Sequence, residues 1–237
     1  PEGIREVVGR RLSRLSEANQ KFAAMYPGDR LDRQPVHTVY GGAQLFAADT
    51  AQKLGRVAVR TLEEYAPDAG TFAQALGLAG DAAFQTTVYD RVKTKLQRDP
   101  IEDFRIDFED GYGYRPNAEE DGHAVKDAEE MARGMKEGIL PGAIGIRVKP
   151  FNDELRGRAI RTLDLFLSTL LPLTGARLPA NFCVTLPKIT SPEQVAAAVE
   201  ALGTIERENY VAEGTIPIEL MIETPQSVFT LDGKVAL

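Results

Sequence analysis

The residues between Ile101 and Pro116, IEDFRIDFEDGYGYRP, form an apolar run that stops on Asp107, Glu109, Asp110 and a glycine-rich turn. In a strand, side chains alternate between faces, so Phe104, Ile106 and Phe108 share one face while Arg105, Asp107 and Glu109 share the other. Crowding like charges in this way is costly unless a cation or a buried arginine compensates, and such crowding marks a candidate site. The plainer alternative is a solvated strand end followed by an acidic loop. Arg147, inside GIRVKPF, stands where a central parallel strand is normally apolar. Its guanidinium suits anion recognition, or a structural ion pair with Glu109 or Asp110, and the two uses can coexist. Lys188 follows Pro187 at the end of a further strand, where it faces an anion or snorkels at the rim. Glu223 emerges from the apolar run IELMI just before Thr224 and Pro225. A lone buried acid is expensive, and a hard divalent cation would explain this one: magnesium accepts one or two carboxylates plus waters and substrate oxygens. The pair Gly41-Gly42 admits a ligand close to the backbone, or is simply a turn.

Other polar residues read more plainly. His37 is a candidate base near the first strand but reads better as a core or turn histidine. Cys183, inside a strand pattern, reads as a small buried hydrophobe. The run Glu119, Glu120, Asp121 reads as a solvated helix start favoured by the helix dipole.

The elements that must position these groups follow in order. Residues 3–25 have apolar residues at helical spacing, an extension ahead of the main domain. VHTVYG reads as a first strand ending at Gly41-Gly42, residues 49–64 as a helix, TFAQALGL as ambiguous, and 82–96 as a helix feeding the acidic strand. A charged helix over 119–138, a strand AIGIRVKPF, a helix over 159–171, a strand NFCVTLPKI, a helix PEQVAAAVEALG and a strand IPIELMIETP complete the pattern. Strands alternating with helices require a parallel sheet. Both an open doubly wound sheet and a (β/α)8 TIM barrel fit, and no G-x-G-x-x-G or Walker pattern follows a strand. Barrels gather functional residues at the carboxyl ends of strands, where Asp107, Arg147, Lys188 and Glu223 fall. The expected organisation is a helical extension over 1–35 and an α/β barrel domain over 36–237 holding about the first five βα units.

Composition narrows the partners. With 35 acidic against 28 basic side chains the formal charge is −7, which argues against nucleic acid or an anionic membrane surface. A single cysteine excludes an internal disulfide framework and suits a reducing compartment, so cytoplasm is the expectation. No stretch has the length and apolarity of a membrane span.

DFEDGYG, GIRVKPF, TLPKI followed by SPEQV, and IELMIETPQSVF, in this order, resemble the citrate lyase β-subunit/HpcH-HpaI aldolase family and its malate synthase relatives over roughly residues 100–230. The resemblance implies a (β/α)8 barrel in which Mg²⁺ or Mn²⁺ holds a 2-oxo acid, with carbon–carbon bond cleavage through a metal-stabilised enolate. It also implies a homo-oligomer, and a CoA thioester as a possible second substrate class in the malate synthase-like direction. Carried across, Glu223 matches a metal-ligand glutamate, with Asp107 beside it. Arg147 matches the arginine on the substrate oxygen, and Glu109 and Asp110 belong to the acidic turn beside the metal. Lys188, Gly41 and Gly42 complete the expected substrate-binding set. Two departures stand out: the family's second metal carboxylate lies on a strand after the IET strand, beyond Leu237, and the aldolase branch has histidine where Asp110 stands. His123, on the following helix, does not replace that histidine. A reading of another class, a non-catalytic barrel subunit or fragment, stays open at this stage.

Overall fold

A computed structural model describes residues 3–235 other than 30 and 32. The chain divides into compact units over residues 1–34 and 35–237. The first contains helix α1 (Ile4–Met25).

The second unit is a mixed α/β fold built on a five-stranded parallel sheet in the order β1-β2-β3-β4-β5. The strands are β1 (Thr38–Gly42), β2 (Asp103–Asp107), β3 (Ala143–Arg147), β4 (Phe182–Leu186) and β5 (Ile218–Leu220). Between them run α2 (Thr50–Tyr65), α3 (Ala69–Leu76), α4 (Ala82–Arg98), α5 (Asn117–Glu137), α6 (Arg156–Thr174) and α7 (Pro192–Glu208), with α8 (Pro225–Val228) after β5. The ambiguous TFAQALGL lies largely in α3, which starts where Asp68 accepts the Thr71 amide at 2.9 Å and stops at Gly77 in the left-handed region. The strand expected over 143–151 ends at Arg147, because Pro150 has no N–H to offer a neighbour. Helix α6 is longer than the expected 159–171. Strand β5 is short, and among the described residues it pairs with β4 alone.

The two faces of the sheet differ sharply. Phe104, Ile106, Ile144, Ile146, Val184 and Leu186 are buried on one face, with Ala124, Ala128 and Met131 of α5 and Leu163, Phe166 and Leu167 of α6 in the same core. Each large side chain fully buried there contributes about 1.5–3 kcal/mol. The opposite face carries Asp103, Arg105 and Asp107 of β2, Arg147 of β3, Thr185 of β4 and Glu219 of β5, as the alternation from the apolar face requires. Arg105 on β2 reaches Glu219 on β5 at 3.1 Å. Three strand spacings of a flat sheet would separate those backbones by about 14 Å. The polar face is therefore concave. Gly145, at the centre of β3, has the Cys183 carbonyl oxygen 2.1 Å from where a Cβ would stand, so this curvature admits no larger residue there.

The Glu119–Asp121 run corrects the reading of a solvated helix start. Glu120 is 1% exposed: Lys149 Nζ donates to it at 2.8 Å and Thr162 Oγ1 at 2.8 Å. Asp121 accepts from Arg158 and from Arg161. Glu120 and Asp121 form an ionic seam between α5, α6 and the segment after β3, while Glu119 is solvent-exposed as expected and pairs with Arg115.

Candidate functional site

At the carboxyl ends of the strands, Arg147 is the centre. Its Nε donates to Asp107 Oδ1 at 2.8 Å and its Nη2 to Asp107 Oδ2 at 2.6 Å, a bidentate pair set by the direct register of the two residues across β2 and β3. The Tyr40 ring lies 4.4 Å from the guanidinium carbon, closing one face. Only Nη1 is left without a strong acceptor; it lies 3.2 Å from Glu109 Oε2 and 3.9 Å from Met221 Sδ. Burial alone would lower the Arg147 pKa, but the bond to Asp107 and the charges of Asp107 and Glu109 outweigh it and raise it.

Asp107 is saturated. Besides Arg147 it accepts the Glu109 amide at 2.9 Å and the Gly111 amide at 2.7 Å, which shapes the glycine turn around it. Its pKa is lowered: burial pushes it up, and Arg147 with the two amides more than reverses that. The sequence expectation of Asp107 as a metal ligand is corrected here, since four donors already occupy its two oxygens.

Glu109 is 6% exposed and is held by two cations: Lys188 Nζ sits on Oε1, and Arg147 Nη1 lies 3.2 Å from Oε2. Asp110 does not meet Arg147. It accepts from Lys188 Nζ at 2.9 Å on Oδ1 and 3.1 Å on Oδ2. Lys188 has a raised pKa: burial lowers it, and the bonds and charges of Glu109 and Asp110 prevail. Its backbone is in the left-handed region, φ 52, and its amide donates to Glu223 Oε1 at 2.8 Å. Lysine rarely adopts that conformation, and here it lets one residue hold carboxylates from two segments. Glu223 is exposed rather than buried, and lines a cavity of about 410 Å³ with Lys188, Pro150, Asn152 and Gln194.

The structure thus brings Arg147, Asp107, Glu109, Asp110, Lys188 and Glu223 into one constellation. The two glycines part company. Gly42 approaches the Gly111 carbonyl and the Gln44 amide, beside the acidic turn, whereas a Cβ on Gly41 would meet the Phe104 ring at 2.4 Å on the apolar face. Gly41 is a packing glycine, and its expected substrate-binding role is corrected. His37 lies just before β1, at the amino end of the sheet, and His123 Nδ1 is hydrogen-bonded to the Tyr112 hydroxyl at 2.7 Å. Cys183 is half-buried, and burial pushes its thiol up to about 11, so it stays protonated.

The chain belongs to the DUF6986 family. That family, described as a domain of unknown function, matches residues 15–237. No curated protein matches the chain.

Sequence reasoning missed two residues of this DUF6986 site. Tyr40 was findable, since alternation from Gly42 puts it on the polar face. Gln44 has no such signal: it sits in the 3-10 turn Ala43–Leu45, its Oε1 buried without a partner and its Nε2 3.4 Å from the Gly111 carbonyl. Among the described residues no three His, Cys, Asp or Glu side chains form a metal-binding group. Glu223 alone fits a hard cation that keeps most of its ligands as water or substrate oxygen, because it is exposed in a cavity and only one of its oxygens accepts a bond. A more apolar cavity of about 630 Å³ along α7 and β5 has Glu200 as its only ionisable lining group and offers no comparable chemistry.

Proposed function

We propose that this protein is a Mg²⁺- or Mn²⁺-dependent carbon–carbon lyase of the citrate lyase β-subunit/HpcH-HpaI type, cleaving a 2-oxo acid on a (β/α)8-type barrel. One observation carries the reading: Arg147 is immobilised by Asp107 on one edge and Tyr40 on one face, with Nη1 held back beside Glu109. A fixed positive charge of this kind stabilises negative charge developing on a substrate oxygen at no reorganisation cost. The concave polar face supports the barrel, as does the gathering of charged groups at the strands' carboxyl ends.

In the cleavage direction, Glu109 takes the proton of the substrate's hydroxyl group. The bond between the hydroxyl-bearing carbon and the carbon next to the ketone breaks: its electron pair moves into the enolate, whose oxygen faces Arg147 Nη1, while the former O–H pair forms a C=O on the hydroxyl-bearing carbon, which leaves as a carbonyl compound. The proton is then returned to the enolate carbon, releasing the smaller 2-oxo acid. Lys188 holds the acidic turn and adds a second cation for the substrate carboxylate. Glu223 would hold the divalent cation, which supplies Lewis-acid polarisation of the keto oxygen.

The test is pyruvate release from a 4-hydroxy-2-oxo acid, with and without Mg²⁺. Release that chelator stops and Arg147→Lys lowers is the expected result. Product formed only from glyoxylate and acetyl-CoA would move the reaction to the condensing, malate synthase-like direction. No turnover of either pair would overturn the assignment.

A further inference from the structure

At the other end of β2 lies a second cluster of charge, of opposite character. Helices α2 and α4 pack antiparallel: Gly55 sits against Pro100 and the Leu96 carbonyl, Glu63 pairs with Lys93 at 3.1 Å, and the Tyr89 hydroxyl donates to the Ala66 carbonyl at 3.0 Å. A Cβ on Gly55 would stand 2.6 Å from Pro100, so the glycine allows the close crossing that forms the floor of an open cavity of about 500 Å³. Val59, Leu96 and Pro100 give that cavity an apolar lining, and Arg56 and Arg60, one turn apart on α2, line it together with Arg98, in the last turn of α4.

Among the described residues most arginines of the second unit are paired with a carboxylate; Arg56, Arg60 and Arg98 belong, with Arg91 and Arg177, to the five that are not, and these three line one cavity. Arg105, Arg115, Arg133, Arg147, Arg156, Arg158, Arg161 and Arg207 each pair with a carboxylate. Among the described residues no carboxylate pairs with Arg56, Arg60 or Arg98. The only acid in the lining, Glu63, is tied to Lys93. In a chain of formal charge −7, three exposed and unpaired arginines lining one cavity make a local concentration of positive charge. Like charges four apart on a helix repel, so the arrangement costs stability until an anion arrives.

We propose that this cavity is a binding site for a small phosphorylated sugar, free or as part of a nucleotide. Guanidinium groups grip phosphate oxygens bidentately, and three arginines lining one cavity suit a phosphate better than a single carboxylate guest. The apolar floor takes the carbon skeleton or a base. Glu63, an acceptor at the edge, takes a sugar hydroxyl, and the side-chain amides of Gln52 and Gln97 complete the lining. Pro100 precedes β2, whereas the lyase constellation lies past its carboxyl end, so the two sites do not compete. The proposal does not rest on the lyase reading.

Calorimetric titration of the whole chain with ADP, ribose 5-phosphate and inorganic phosphate tests it. The expected result is binding of ribose 5-phosphate or ADP with Kd below about 1 mM, tighter than inorganic phosphate, and weakened at least about 10-fold by Arg56→Gln/Arg60→Gln. Arg98→Gln, on the other helix, should weaken it in the same direction. Arg91→Gln, an exposed arginine of α4 outside the cavity, should leave it unchanged. Equal binding of both esters makes the sugar phosphate the recognised unit, and a preference for ADP places the base on the floor. No saturable binding, equal affinity for inorganic phosphate, or equal loss in Arg91→Gln would each overturn the proposal.

Discussion

Two arginines on the same concave face have been put to different ends. Arg105 is closed: Nε donates to Thr185 Oγ1 at 3.0 Å, Nη1 to Asp103 and Nη2 to Glu219 Oε1 at 3.1 Å, so all three nitrogens have oxygen acceptors. Arg147, at the carboxyl end, spends two nitrogens on one aspartate and gives the third to an ion pair with Glu109, which Lys188 also holds. A buried ion cluster with every donor satisfied holds strands together. One whose last donor is held only by an ion pair, next to the lysine that lines a cavity, can exchange that partner for a guest.

The contrast breaks most visibly at the closed end. Arg105→Met should cost about 3–5 kcal/mol of stability, because Asp103 is left as a buried charge with no counter-charge, while turnover of the folded protein is little changed. Urea unfolding measures it, and a loss below about 1 kcal/mol would mean that the lower cluster is not structural. Arg147→Lys should do the reverse. It keeps the charge but loses the fork, so turnover should fall about 100-fold or more, as when one oriented donor is removed from an oxyanion site. Wild-type kinetics in that variant would make Arg147 another Arg105.

A smaller effect tests the acceptor. Glu109→Gln leaves the pocket with uncompensated positive charge and should weaken Mg²⁺-dependent 2-oxo acid binding about 10-fold, with little change in melting temperature. Calorimetry with pyruvate and Mg²⁺ would show identical curves if the acidic turn is mere surface.

A third kind of buried charge sharpens the comparison: Asp127 on α5 is fully buried, with neither oxygen hydrogen-bonded and Lys126 Nζ 3.5 Å away. Burial pushes its carboxyl up to about 8, with Lys126 opposing. Below that value the folded state keeps the proton while the unfolded carboxyl has lost it above its ordinary pKa, so folding stability falls as pH rises through this window. The linkage slope is about 1.4 kcal/mol per pH unit between pH 5 and pH 7. Asp127→Asn should remove that slope, and parallel unfolding curves for the two proteins at pH 5 and pH 7 would show that Asp127 is ionised throughout.

The alternation around Phe104, Ile106 and Phe108 placed the acidic residues correctly, and each of Arg147, Lys188 and Glu223 announced itself by standing where an apolar run ends. The division of labour among them was not legible. Asp107 and Glu109 look equivalent in sequence, yet cross-strand register gives the first a bidentate bond to Arg147 and leaves the second to ion pairs with Arg147 Nη1 and Lys188. Glu120 looked solvated because its partners Lys149, Thr162 and Arg158 come from later segments, and no local spacing encodes them. The expected strands overran where a proline withdraws an N–H, and Gly41 and Gly42 were read as one unit although the two-residue period around Tyr40 separates them.

Lys188 carries one last consequence. Its left-handed backbone is a conformation that glycine adopts freely and lysine does not, so Lys188→Gly relieves local strain while deleting the ammonium that binds Glu109 and Asp110. The two effects on stability oppose each other, because the buried Glu109 is left with Arg147 as its counter-charge. Lys188→Ala keeps the strain and loses the ammonium, so the difference in melting temperature between the alanine and glycine variants isolates what the left-handed backbone costs.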